Sequence, residues 1–139
     1  PTATTESFVG GFWRSGDLGC KDADGFIAVL DRVKDMINRG GYKIFSVEVE
    51  GVLAAHPAVV EAAIVAKPCP VLGERVHAVI VAREPVDGAA LRAHCAGRMA
   101  DYKVPETVTL VDAPLPRNAN GKILKRDLKT LFEDRSVAA

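Results

Sequence analysis

The sequence predicts an α+β fold, a roughly three-stranded sheet packed by helices and preceded by a β-hairpin. Apolar residues recur at helical spacing in three stretches after Ser46, and apolar runs of strand length lie between those stretches. Ahead of them, an Asp/Gly turn separates two short segments of strand character.

In chain order, Gly11 to Gly19 leads through Lys21-Asp22-Ala23-Asp24-Gly25 into the apolar segment Phe26 to Leu30, which reads as the hairpin. The block Asp31 to Lys43 is dense in charge and contains Gly40-Gly41, so it reads as a connector and exposed loop. Ser46 is placed to cap a helix with Val49, Val52, Leu53 and His56 on one face and Pro57 just beyond it. Val59 to Ala66 and Val76 to Arg83 read as strands, separated by the prolines and glycine of Lys67 to Glu74. Asp87 caps a second helix with Leu91, Cys95 and Met99 spaced by four, which ends before Val104-Pro105 because a residue preceding proline avoids the helical region. Thr107 to Val111 is the third strand. The polar loop Pro114 to Lys122 then precedes a final helix carrying Leu124, Leu128, Leu131 and Phe132. Residues 134–139 are expected to fray.

At 139 residues, length alone favours one domain. Eighteen Lys and Arg balance eighteen Asp and Glu, and 48% of residues are hydrophobic, which speaks against disorder and against a basic nucleic-acid binder. The longest apolar run, Val76 to Ala82, is interrupted by His77 and falls far short of the roughly 20 residues of a membrane span. Cys20, Cys69 and Cys95 are odd in number and widely spaced, which fits free thiols and a cytoplasmic location better than a disulfide framework. The N-terminus begins Pro1-Thr2-Ala3, without an initiator Met or a signal-peptide pattern, and reads as a piece of a longer chain.

Several residues are candidates for chemistry. Lys122 follows Gly121, but Pro116 and Ile123 stand where a phosphate loop needs glycine and Ser or Thr, so that motif is absent. What remains is an exposed lysine, made mobile by Asn118, Asn120 and Gly121, that can carry one positive charge to an anionic site or simply be solvated. Lys122, Lys125, Arg126 and Lys129 share a face without interleaved aromatics, which reads as a solvated face. His56, His77 and His94 lie on separate elements, and no metal site is expected. Asp17 beside Gly16 could hold a sugar hydroxyl pair or serve a turn, and Gly40-Gly41 could admit a ligand or form a tight turn.

The ordered set Trp13-Arg14-Ser15-Gly16-Asp17, Asp31-Arg32-Val33-Lys34-Asp35 with Gly40-Gly41-Tyr42-Lys43, and Pro116-Arg117-Asn118-Ala119-Asn120-Gly121-Lys122 resembles the C-terminal part of acyl-adenylate-forming enzymes. That superfamily includes acyl-CoA synthetases, luciferases and the adenylation domains of peptide synthetases. The resemblance runs from about Gly11 to Phe132. It implies a remnant of a large N-terminal domain at residues 1–33 and a small mobile lid at 34–133. It also implies a two-step reaction, in which a carboxylic acid and ATP give acyl-AMP and coenzyme A then displaces AMP.

By the same resemblance, Lys122 is the adenylation lysine, Asp17 and Arg32 bind the nucleotide, Lys34 is the hinge, and Gly40 and Gly41 line the coenzyme A tunnel. ATP, coenzyme A and magnesium are expected to bind through the N-terminal domain, the lid's partner, and the lid alone is expected to be inactive. Asn118-Ala119-Asn120 departs from the threonine-containing stretch more usual there. Ile123 to Leu128 and Val71 to Glu74 look most like fatty or aryl acid ligases, giving a fatty-acid–CoA ligase as the expected parent. The alternatives are another adenylate-forming member, including a luciferase-like one, or a non-catalytic nucleotide-binding or interaction module.

Overall fold

In the computed structural model, which describes residues 1–133 and side chains through Thr130, the first long turn is built by Asp22. Its carboxylate accepts the backbone N–H groups of Asp24 (3.0 Å) and Phe26 (2.9 Å), the local bonding that makes aspartate a turn residue. The turn joins β3 (Asp17–Lys21) to β4 (Ile27–Arg32) in an antiparallel ladder, the hairpin read from the sequence. Before it lie α1 (Thr2–Ser7) and the two-residue strands β1 (Phe8–Val9) and β2 (Phe12–Trp13), each too short to leave a periodicity. These elements form one unit, Pro1–Lys34, and a second unit begins at Asp35.

The second unit is built on a long hairpin of β7 (Val59–Cys69) and β8 (Gly73–Ala82). The expected break at Lys67 to Glu74 is narrower than the sequence implied. Pro68 pairs with Glu74 and Cys69 with Gly73, so both strands run on to a tight turn. Proline is tolerated there because only an interior ladder position demands its missing N–H. β9 (Thr107–Val111) runs parallel to β8, as a crossover through α3 (Gly88–Ala96) permits.

The sheet is wider than the three strands expected. The block read as connector and loop contains β5 (Ile37–Arg39) and β6 (Tyr42–Ile44), which pair with each other and join β8 at Arg39 and Gly73, giving five strands. Ile37 and Ile44 are fully buried, and their burial outweighs the polar residues between them.

Alternation along β7 and β8 places apolar residues on both faces. Ile64, Val76, Ala78 and Ile80 pack with Val49 and Leu53 of α2 (Ser46–Ala54) and with Leu91 and Cys95 of α3. Ala63, Val65 and Val79 pack with Leu115 and with Leu128 of α4 (Lys125–Glu133). A sheet covered on both faces needs near-continuous apolar strands, which is how these two read. Of the other α4 positions expected on that face, the side chains of Leu131 and Phe132 lie outside the description, as does the expected frayed tail.

Two helix starts differ in chemistry. Asp87 caps α3 as expected, accepting the Ala90 N–H at 2.7 Å. Ser46 does not cap α2. Phe45 holds that position, and the buried Ser46 hydroxyl instead accepts from Lys125 Nζ at 2.7 Å. Among the described residues no helix is long and apolar enough to cross a membrane.

Candidate functional site

Lys122 stands on a turn whose backbone groups are closely engaged. Asn118 Oδ1 accepts from the N–H groups of Asn120 and Lys122, both at 3.0 Å, and Asn118 N donates to the Lys122 carbonyl at 2.9 Å. Gly121 takes φ +80°, a conformation that disfavours any side chain, and donates to the Asn118 carbonyl. Outside the turn, Arg117 bridges to Ile123 and Leu124 N donates to the Pro116 carbonyl. The asparagines read as loosening this loop therefore close it. The Lys122 side chain is exposed, and among the described residues no acceptor holds its ammonium.

Two anchors fix this turn to the sheet. Glu61 of β7 receives Arg117 through one carboxylate oxygen and the Leu115 N–H, at 2.9 Å, through the other. These two bonds, Arg117's first, hold the Glu61 carboxyl below the usual carboxylate range. On the far side of Lys122, Lys125 Nζ lies 2.6 Å from Glu50 Oε1 of α2, in addition to its bond to Ser46. Lys125 is thus no part of a solvated basic face, whereas Arg126 is exposed.

Gly40 and Gly41 form the tip between β5 and β6. Gly40 N donates to the Leu72 carbonyl (2.8 Å), Gly41 N to Asn38 Oδ1 (3.0 Å), and Asn38 N to Glu74 Oε2 (2.8 Å). The turn between β7 and β8 therefore holds the glycine tip in place. Glu106 adds a clamp, bonding Arg39 at 2.5 Å and Arg75 at 3.3 Å. Arg75 also reaches the buried Cys69 thiol at 3.1 Å, whose pKa is lowered first by the Leu72 N–H.

The anchor of the Lys122 turn and the anchor of the glycine tip lie at opposite ends of one ladder. Glu61 pairs with Val81 near one end and Cys69 pairs with Gly73 at the other, a separation along β7 of about 26 Å at the usual strand rise.

In the first unit, Asp17 and Arg32 are direct partners across β3 and β4, and Arg32 Nε lies 2.9 Å from Asp17 Oδ1. Lys34 is exposed in the turn after β4, at the boundary between the units. The structure thus brings Asp17 to Arg32 and Gly40 to Gly41, and sets Lys122 apart from the glycines within the second unit.

Sequence reasoning missed Glu61, Glu50 and Glu106 as anchors. A carboxylate inside Val59-Val60-Glu61-Ala62-Ala63-Ile64 is the signal that was available, since a charge in an apolar strand requires a partner. It also missed that His56 and His94 meet edge to face with ring centroids 5.0 Å apart. Among the described residues no three His, Cys, Asp or Glu side chains converge as a metal site.

Known proteins are similar to this chain in sequence and fold. The chain is 44% identical over 134 residues to a 2-succinylbenzoate–CoA ligase of Geobacillus kaustophilus, covering 95% of this chain and 27% of the ligase. It superimposes on the o-succinylbenzoate CoA synthetase MenE of Bacillus subtilis, solved with ATP and magnesium ion, with a TM-score of 0.84 and 42% identity, over 92% of this chain and 26% of that one. ATP-bound MatB of Rhodopseudomonas palustris gives a TM-score of 0.85 at 36% identity, over 95% and 27% of the two chains. The chain therefore spans about a quarter of the length of these relatives. Residues 48–122 match the AMP-binding enzyme C-terminal domain, and with the Lys122 turn and the five-stranded sheet on which it is mounted, the chain belongs to that family.

Proposed function

We propose that this chain is the C-terminal lid of an AMP-forming acid–CoA ligase. The observation that carries the reading is the unengaged Lys122 ammonium, presented on a turn closed by its own backbone. In the first step a substrate carboxylate oxygen attacks the α-phosphorus of ATP, the bond to the β-phosphate breaks, and pyrophosphate leaves. Lys122 places a positive charge where negative charge gathers between carboxylate and phosphate, with no proton transfer needed. In the second step the coenzyme A sulfur attacks the acyl carbonyl and AMP departs. Gly40 and Gly41 line the approach of the thiol arm.

The separation of the two anchors along β7 and β8 supports a lid that presents one end at a time, turning at Lys34. Asp17 and Arg32 hold the ribose and phosphate side of the nucleotide. The first unit exposes Phe12, Trp13, Phe26, Ile27 and Val29, an apolar surface that fits burial within the large N-terminal domain of the same enzyme. Magnesium does not fit the described residues of this chain, which gather no oxygen-rich set of ligands, and we assign it to that partner domain. The three free cysteines fit a cytoplasmic enzyme.

The substrate class is a carboxylic acid. The two segments that resemble those of fatty or aryl acid ligases also have structural occupations. Val71 to Glu74 secures the glycine tip, and Ile123 to Leu128 seats α4.

The test is carboxylate-dependent ATP–pyrophosphate exchange by the full-length enzyme and its Lys122→Ala variant. The expected loss is about 100-fold or more. Exchange that survives the substitution would remove Lys122 from the reaction.

A further inference from the structure

We propose that Glu61 is the positioning residue for Lys122, acting through the Arg117 guanidinium. This rests on the reading of Lys122 given above and adds to it the question of what aims the lysine. The Lys122 ammonium has no side-chain partner among the described residues, so its direction is inherited from the turn. Arg117 spans the gap between that turn and the sheet. Its Nη1 donates at 2.7 Å to the Gly121 carbonyl, which belongs to the peptide leading directly into Lys122, and its Nη2 donates to Glu61. A planar guanidinium held at both prongs transmits orientation as a rigid plate.

Glu61 is suited to be the fixed end. It lies in β7, where its neighbours Ala63, Ile64 and Val65 are buried, and its second oxygen takes the N–H of the buried Leu115. The same carboxylate therefore fixes Arg117 and the chain entering the loop. Without it, Arg117 keeps the Gly121 carbonyl but has nothing on the sheet to hold it against. Lys122 is accordingly carried to the reacting phosphate by movement of the whole lid, with its turn unchanged.

The far end of the β7–β8 ladder, where the glycine tip is fastened, shares none of these bonds. Loss of Glu61 should therefore fall on one half-reaction.

The experiment uses the full-length enzyme and follows two readouts. One is carboxylate-dependent ATP–pyrophosphate exchange. The other is thioester formation from supplied acyl-adenylate and coenzyme A. For Glu61→Gln, which preserves shape and an oxygen for Leu115, exchange kcat should fall between about 10- and 100-fold, the range expected from misplacing a catalytic group by about 1 Å. The KM for ATP and the thioester rate should stay within about twofold. Arg117→Lys, which keeps the charge but loses the fork, should reproduce the split. In a Lys122→Ala background Glu61→Gln should add no further loss.

The inference is overturned if exchange is unmoved in both variants, if both half-reactions fall together, or if the Glu61→Gln loss persists undiminished without Lys122. If Lys122→Ala alone leaves exchange intact, the failure belongs to the reading of Lys122 and this inference falls with it.

Discussion

Arg32 Nε lies 2.9 Å from Asp17 Oδ1, so two residues nominated separately as nucleotide contacts are one ion pair on adjacent strands. The pair is partly exposed, and such pairs contribute about 0 to 1 kcal/mol to stability. Its importance is therefore expected in binding. Asp17→Asn should leave the unfolding midpoint nearly unchanged and raise the KM for ATP by about tenfold, the value of one charged hydrogen bond. Exchange rates measured across ATP concentrations check this.

The glycine tip gives a prediction that separates strain from obstruction. A Cβ at Gly41 would meet nothing within 4 Å inside the chain, although its φ of +95° disfavours any side chain. Gly41→Ala should show that strain alone, about 1 to 2 kcal/mol. Gly41→Leu should in addition reduce thioester formation by about tenfold or more while pyrophosphate exchange stays within about twofold. Equal losses in the two variants would assign the effect to strain.

His77 makes stability depend on pH. It is buried between Thr107, 2.6 Å from Nδ1, and Thr109, 3.2 Å from Nε2. Burial, then the charge of Lys67, lowers its pKa from 6.5 to about 4. As pH falls below 6.5 the unfolded chain takes up this proton and the folded chain does not, so stability declines until the folded state also titrates near 4. The full loss is about 3 kcal/mol. Denaturant unfolding between those limits should show the slope, and His77→Gln should flatten it.

Lys125 and Arg126 are adjacent and basic, yet their removal should differ. Lys125→Ala removes the ammonium that both Glu50 and the buried Ser46 bond and should cost about 2 kcal/mol. Arg126→Ala, at an exposed position, should stay within about 0.5 kcal/mol. Thermal unfolding of the two variants decides.

The contrast also shows what was legible beforehand. Elements declared by a repeating pattern were readable: the Asp22 turn, the Asp87 cap, the strands around Ile64 and Ile80, and the stripe of Leu91 and Cys95. β5 and β6 were not, because each is three residues long and only distant partners make Ile37 and Ile44 core. Ser46 was misjudged for the same reason. Its nearest neighbours make it a plausible cap, but Phe45 holds that position and Lys125, 79 residues away, donates to the Ser46 hydroxyl. At the candidate site the motif order nominated Lys122, Gly40 and Gly41, while Glu61, Glu50 and Glu106 lie outside the motifs. They act through pairs spanning dozens of residues, a relation that local spacing does not record.

The β7–β8 ladder joins the Lys122 anchor at Glu61 to the turn at Gly73 that holds the glycine tip, without an intervening joint. In a lid that turns as proposed, one stiff beam carrying both ends would work as an escapement: whichever end is engaged, the other would be withdrawn by the same displacement, so coenzyme A would not be admitted while ATP is still being attacked. The sequence of the two half-reactions would then need no separate signal, because the length of a single hairpin keeps them out of phase.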